Sequence, residues 1–374
     1  MWKWKYFFIY LGAMMLLLVV LPALLVGGAP DHGNEEREEE EEEERIAMPL
    51  SGEYNWTVQI YLKEQGEIVE MDLEVYTAGV VAAEMPPSFH GEALKAQAVA
   101  ARTYALQKVL PLGGRGCASQ HGADLCTDST CCQAWDSVAA RLMALNISAE
   151  FSGAGVESTI IREISAETIT DGNTVNHYYA RVIKAVAITK GLVVCYGGDY
   201  IEAVYHSTCG GITAAASEVW GNDFPYLQPV EDHFCSHSPY YRQELRLEMP
   251  AFLAAMGMNM EDREAIPVLA GLEPLLEVSH KGASGRKTLL LLPPRRAERS
   301  LSGTEFRRLL GLPSTFFHWT VEEDEIIFHT RGFGHGAGLC QYGADGMAQA
   351  GSNFQEILEY YYRGAVVQPN HIQP

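Results

Sequence analysis

Glu84 occupies a position where a carboxyl group can be held protonated near neutral pH. Leu73 to Met85 reads as a helix that must stop, because Pro86 and Pro87 lack donors and Pro86 pushes Met85 out of the helical region. Glu84 therefore falls at a helix C-terminus, where the macrodipole disfavours a further negative charge and Met85 and Phe89 add apolar cover. A neutral glutamic acid suits general acid catalysis at a glycosidic oxygen; an ordinary solvated carboxylate is the plainer alternative.

Cysteine supplies the second chemical signal. Eight are present, and four of them (Cys117, Cys126, Cys131, Cys132) crowd into sixteen residues. His121, Cys126, Cys131 and Cys132 offer four soft or borderline ligands within twelve residues, the number and types that tetrahedral zinc needs. The spacing is not that of a zinc finger, and a disulfide or free thiols are the other options. Four protein ligands would close the shell and make the metal structural. Cys195, Cys235 and Cys340 read as small apolar residues.

The elements that must position these groups are partly legible. Trp56 to Leu62 alternates apolar and polar residues, the period of a half-buried strand. Gly91 to Leu110 is alanine-rich with apolar residues near helical spacing, so it predicts a long, closely packed helix carrying Lys95 and Arg102 on one face. A further helix is expected from His177 to Lys190, ending on Gly191, followed by a hairpin of Leu192–Tyr196 and Tyr200–His206 through Gly197 and Gly198. Residues 231–322 carry no clear pattern and form either a subdomain or peripheral elements. Glu325 to His329 predicts a strand. In the Gly332–Gly338 stretch glycines alternate, which lets a backbone approach a ligand closely. Ser352 and Gln355 suit a capping box for a last helix through Tyr362. The fold class expected is a mixed α+β ectodomain over residues 50–374, with helices and antiparallel hairpins, as one large or two intimate subdomains.

The N-terminus predicts where that ectodomain works. After a tip of residues 1–5 with Lys3 and Lys5, residues 6–28 contain no charge, enough for about 35 Å of helix, a single-pass transmembrane anchor. A cleavable signal peptide is the competing reading. The lysines place the N-terminus in the cytoplasm. Residues 29–49, with nine glutamates between Glu35 and Arg45, read as a disordered acidic linker. The net charge of -21 argues against nucleic acid as partner.

Five blocks carry a resemblance. Gly79-Val-Val-Ala-Ala-Glu-Met-Pro-Pro, Glu92-Ala-Leu-Lys-Ala-Gln-Ala-Val-Ala-Ala-Arg-Thr-Tyr104, Cys126-Thr-Asp-Ser-Thr-Cys-Cys-Gln133, His206-Ser-Thr-Cys-Gly-Gly-Ile-Thr213 and Gly332-Phe-Gly-His-Gly-Ala-Gly-Leu-Cys-Gln-Tyr-Gly-Ala344 resemble, in order, the stage II sporulation protein D family of lytic transglycosylases. Cys209 stands where serine is more usual. The resemblance implies cleavage of the MurNAc–GlcNAc bond of peptidoglycan without water, leaving 1,6-anhydro ends, with Glu84 as acid and then base. Lys95 and Arg102, seven apart and so on one helix face, are expected to hold the saccharide and steady charge near Glu84, unless they are a solvated stripe or structural ion pairs. Ser207, Thr208, His335, Gln341 and Tyr342 would offer donors and an aromatic face to sugar, or hold tight loops.

The resemblance also implies zinc at the cysteine block, where some relatives use two histidines and two cysteines with histidine at the position of Cys131. No organic cofactor is expected. The implied setting is engulfment during endospore formation, at the mother-cell membrane facing the intermembrane space. The implied partners are a cell-wall amidase that strips stem peptides and a membrane protein that recruits the complex. Related amidase enhancers supply the alternative, a non-catalytic peptidoglycan-binding activator of a partner amidase.

Overall fold

In the computed structural model, which describes residues 56–86, 88–140, 142, 172–258, 276–291 and 298–370, β1 (Thr57–Leu62) and β2 (Glu67–Asp72) form an antiparallel hairpin. The Asp72 carboxylate then accepts the N–H groups of Glu74 and Val75 and starts α1 (Leu73–Glu84). The helix stops at Met85, whose extended backbone (φ −107°, ψ 135°) is the conformation a following proline demands. The His90 side chain caps α2 (Gly91–Lys108), in which Ala93, Ala96, Ala98, Ala100, Ala101 and Ala105 are buried. β3 (Leu125–Cys126) runs parallel to β1 and fixes Cys126 at the sheet edge.

The helix expected from His177 starts earlier, as α3 (Gly172–Ile188). β4 (Leu192–Tyr196) and β5 (Asp199–Tyr200) make the expected hairpin, but its second arm is short. The chain leaves it, and β6 (Tyr205–His206) belongs to another pairing. A short helix α4 (Ala216–Trp220) follows.

The segment without a pattern builds its own core. β7 (Arg242–Glu248), α5 (Met249–Ala255), β8 (Leu276–Lys281), β9 (Lys287–Leu291), β10 (Arg299–Leu301), α6 (Gly303–Leu310), β11 (Phe317–Glu322) and β12 (Glu325–Arg331) form two small antiparallel sheets with helices. Phe252, Phe306, Phe317 and Phe328 pack at its centre, a cluster distinct from the one around Ile60, Tyr76, Val80 and Leu106.

Gly332 to Gly338 leads into β13 (Leu339–Cys340), which pairs parallel with β6, and then α7 (Gln341–Gln349). The alternating glycines are needed for close approach of one protein segment to another. All four have positive φ, and a Cβ on Gly332 or Gly338 would overlap the carbonyl of Thr208 or Val204, so their bareness lets two protein segments touch. α8 (Phe354–Tyr361) is capped by Asn353 with Glu356, one residue beyond the expected box, and β14 (Val366–Pro369) pairs with β4. Helix α2 is the axis, packed on α1, α3, α7, α8 and β4. The expected anchor (6–28) and acidic linker (29–49) lie outside the described residues; among the described residues no helix is long and apolar enough to cross a membrane.

Candidate functional site around Glu84

Glu84 closes α1 with its carboxyl partly buried. Burial raises its pKa above the ordinary carboxyl value, opposed by hydrogen bonds from the Ala134 N–H (3.0 Å to Oε1) and the Gln341 side chain. Among the described residues no charged group contributes to the shift. The carboxyl is thus pushed toward the protonated form, yet two donors stand ready for its anion.

Those donors are placed by packing. Asp136 N–H bonds Gly79 O at 2.9 Å, and the Trp135 indole lies directly on Gly79, laying residues 133–136 along α1. A methyl group at Gly79 would overlap that indole. Gly79→Ala is therefore expected to cost about 1–3 kcal/mol and to displace the Ala134 N–H from Glu84, checked by denaturant melts.

A polar network surrounds the carboxyl. Tyr76 Oη donates to Gln133 Oε1 (3.1 Å), and Gln133 Nε2 donates to Tyr205 Oη (2.6 Å). The Glu84 charge helps raise the pKa of both phenols, after burial, so they lie within its field. Gln341 Nε2 reaches Gln97 Oε1 at 3.5 Å. Tyr342 packs edge-on against Phe89 (ring centroids 4.8 Å) and borders His237 and Tyr240. Tyr240 in turn packs on Phe333, and these two rings are 37% and 40% exposed, an open aromatic shelf continuous with the Glu84 site.

The residues expected at the site divide. Gln341 and Tyr342 are there, and Ser207 lies beside them, its carbonyl accepting Tyr342 N–H at 3.1 Å. Thr208 is buried and bonds Ser238 Oγ at 2.7 Å, a loop-holding role. His335 accepts Ala337 N–H on Nδ1, bonds the Tyr205 backbone and packs against Trp220; burial lowers its pKa to about 4, so it is neutral near pH 7. Lys95 pairs with Glu92 at 2.7 Å one turn along α2.

Arg102 is a correction. It is fully buried, and its guanidinium grips Glu74 of α1 (Nε to Oε1 2.9 Å, Nη2 to Oε2 2.5 Å) and the carbonyls of Val186 and Leu192. It shares no open face with Lys95 and is a clamp joining α1, α2, α3 and β4. A narrow internal cavity beside it is lined by Trp56, Leu73, Gly191 and Asn370, not by Glu84.

His121 is a second correction. It lies exposed in a turn, whereas Cys117, paired through its N–H to Ala123 O at 2.9 Å, folds back over Cys126. The convergent set is Cys117, Cys126, Cys131 and Cys132, with Cys131 and Cys132 Sγ at 3.7 and 4.0 Å from that of Cys117 and 3.9 Å from each other. A tetrahedron around zinc with Zn–S of about 2.3 Å has edges of about 3.8 Å, so this donor set fits the ion.

Nor are Cys235 and Cys340 mere apolar filling. They converge with Cys209 and Asp232 in a second buried group.

Gln133, Tyr205, Gln97 and Tyr76 were not picked out from sequence. Gln133 closes the cysteine block and Tyr205 directly precedes the His206 block, signals that adjacency to those blocks could have supplied.

With the geometry in place, comparisons with known proteins set the class. A family model described as Stage II sporulation protein matches residues 61–196. Stage II sporulation protein D of Bacillus subtilis (strain 168) is 30% identical over 316 residues, covering 83% of this chain and 78% of that protein; its counterpart in Bacillus amyloliquefaciens is 28% identical over 318 residues, covering 85% and 80%. The Amidase enhancer of Bacillus subtilis (strain 168) is 23% identical over 330 residues, 77% of this chain but 40% of that longer protein. The chain belongs to the Stage II sporulation protein D family, a family of sporulation proteins.

Proposed function

We propose that this chain is a peptidoglycan lytic transglycosylase with Glu84 as its one catalytic carboxyl. The observation that carries the reading is a partly buried carboxyl whose pKa is raised by burial, with no second charged group among the described residues acting on it and with donors poised for its anion. Ordinary glycosidases position two carboxyl groups. Here the second is replaced by the substrate's own hydroxyl. Glu84 gives its proton to the glycosidic oxygen as the C1–O bond of N-acetylmuramic acid breaks, releasing the next N-acetylglucosamine with a free hydroxyl. The C6 hydroxyl of the same muramyl residue bonds to C1, and its proton passes to the Glu84 carboxylate. Glu84 ends protonated and no water is consumed. Ala134 N–H and Gln341 stabilise the intervening anion, Tyr205 and Gln133 shape the polar wall, and the Tyr342, Tyr240 and Phe333 rings, backed by buried Phe89, offer apolar faces to the glycan.

Cys117, Cys126, Cys131 and Cys132 hold a structural zinc ion in this reading. With four protein ligands the ion has no open position, and its part is to hold the segment that leads into Gln133 and Ala134. Residues 6–28 anchor the protein in the mother-cell membrane, residues 29–49 space it from the bilayer, and the ectodomain meets the wall during engulfment, recruited by a membrane protein. The family's Amidase enhancer supports a cell-wall amidase as partner, and favours a second reading in which the chain chiefly activates that amidase.

The test incubates the full-length protein with glycan strands stripped of peptides and reads products by mass spectrometry. Anhydro-muramyl ends are expected. Their absence, with a faster partner amidase on intact sacculi, would leave the activator reading instead.

A further inference from the structure

A second group of metal-ligating side chains lies well away from the first in sequence, and the sequence blocks give no hint of it. Cys209 follows β6, Asp232 and Cys235 flank and enter a short 3-10 turn (Phe234–His237), and Cys340 caps α7. All four are buried, and their ligand atoms lie within 4.8 Å of one another. Cys209 Sγ stands 3.5 Å from Cys235 Sγ and 3.1 Å from Asp232 Oδ2.

Three features point to a cation rather than to apolar packing. Asp232 is fully buried, yet among the described residues no lysine or arginine pairs with it, and a metal ion is one of the few partners that let a carboxylate stay ionised in such a place. Its contacts are divided as a ligand's are: Oδ1 accepts the N–H groups of Phe234 (2.9 Å) and Cys235 (3.2 Å), while Oδ2, steadied by the Tyr361 hydroxyl at 3.0 Å, faces the thiols. The sulfurs are also served by backbone donors. Cys340 Sγ accepts from Cys209 N–H and Gly343 N–H, both at 3.3 Å, and Cys209 Sγ accepts from Gly211 N–H at 3.4 Å. Such N–H···S bonds orient thiolate ligands around metals.

The charge balance agrees. Buried Arg286 donates to Cys209 O at 3.2 Å, and among the described residues no carboxylate pairs with it. Three thiolates and a carboxylate around a divalent ion carry a net charge of about −2 beside that guanidinium.

We propose that Cys209, Asp232, Cys235 and Cys340 bind a second zinc ion. Three sulfurs and one oxygen suit zinc, and the closed shell makes the site structural. It ties the loop after β6, the 3-10 turn and the start of α7, where Gln341 and Tyr342 begin, and so fixes the C-terminal wall of the Glu84 site. The assignment stands on geometry independent of the catalytic reading.

Zinc content of the full-length protein, purified without chelator from zinc-containing medium, is measured for the parent and for Cys126→Ser, Cys209→Ser, Cys235→Ser and Cys195→Ser. Cys209→Ser and Cys235→Ser are each expected to lose one ion per chain relative to the parent. Cys126→Ser should lose the other ion and Cys195→Ser none. Should the variants fold poorly, ¹¹³Cd NMR of the unmutated protein is expected to show two resonances, one from a four-sulfur and one from a three-sulfur, one-oxygen site. Unchanged zinc in both Cys209→Ser and Cys235→Ser, a cadmium spectrum without the three-sulfur, one-oxygen resonance, or recovery of a Cys209–Cys235 disulfide from the parent would each overturn the assignment.

Discussion

Glu84→Gln is expected to lower the rate of anhydro-product formation by at least about 10²–10⁴-fold, while the protein stays folded and becomes slightly more stable. Glutamine keeps the shape and can still accept from Ala134 N–H, but it can neither give nor take the proton. The pH dependence has a definite sign. The proposed reaction starts from the protonated carboxyl, so its rate is expected to fall as pH rises through the folded pKa, which burial places above the ordinary carboxyl value. Stability runs the same way. The folded state holds this proton more tightly than the unfolded chain, so it loses stability as pH rises from the ordinary carboxyl pKa to the folded one. The variant lacks that loss. Its melting temperature should equal the parent's at acid pH and exceed it near neutrality, read by calorimetry across the pH range. A parent and variant that melt alike at every pH would show that Glu84 is solvated.

Arg102→Met is expected to destabilise the folded chain by about 3–5 kcal/mol, against a total of about 5–15 kcal/mol for a typical domain. It leaves the Glu74 carboxylate buried and unpaired and strips donors from the carbonyls of Val186 and Leu192. The double variant Glu74→Leu/Arg102→Met removes both charges and should recover much of the loss, measured by denaturant titration of all three proteins. Lysine would not substitute, because one ammonium cannot span Glu74 and two carbonyls as the guanidinium fork does. If Arg102 served the saccharide instead, Arg102→Met would keep its stability and lose only turnover.

The contrast between these two residues shows what the sequence could convey. Local rules served Glu84 well: α1 stops just before Pro86, and Glu84 closes the helix as backbone chemistry says it must. Gln341 was picked out through its block, but only the fold shows its side chain bonding Glu84. Periodicity put Lys95 and Arg102 on one stripe of α2, but it cannot say what covers that stripe, and on a helix enclosed by α1, α3, α7, α8 and β4 the stripe is interior. Spacing also misled at the cysteines. His121 is nearer to Cys126 in sequence, but the Cys117–Ala123 backbone pairing turns Cys117 inward and leaves His121 in solvent. The group around Asp232 was out of reach altogether, since Cys209 and Cys340 stand 131 positions apart and meet only through the β6–β13 pairing.

That same pairing governs when the molecule becomes competent. A chain is made from its N-terminus, so α1 and α2 emerge early, while Gln341 and the rest of α7 come near the end. His90 N–H waits for Asp345 across 255 positions, and the glycine run cannot settle against residues 204–209 until both strands are present. Contacts so distant in sequence close slowly and late. The carboxyl therefore exists long before its wall does, and an unfinished or C-terminally clipped molecule carries Glu84 without the setting that gives it a task.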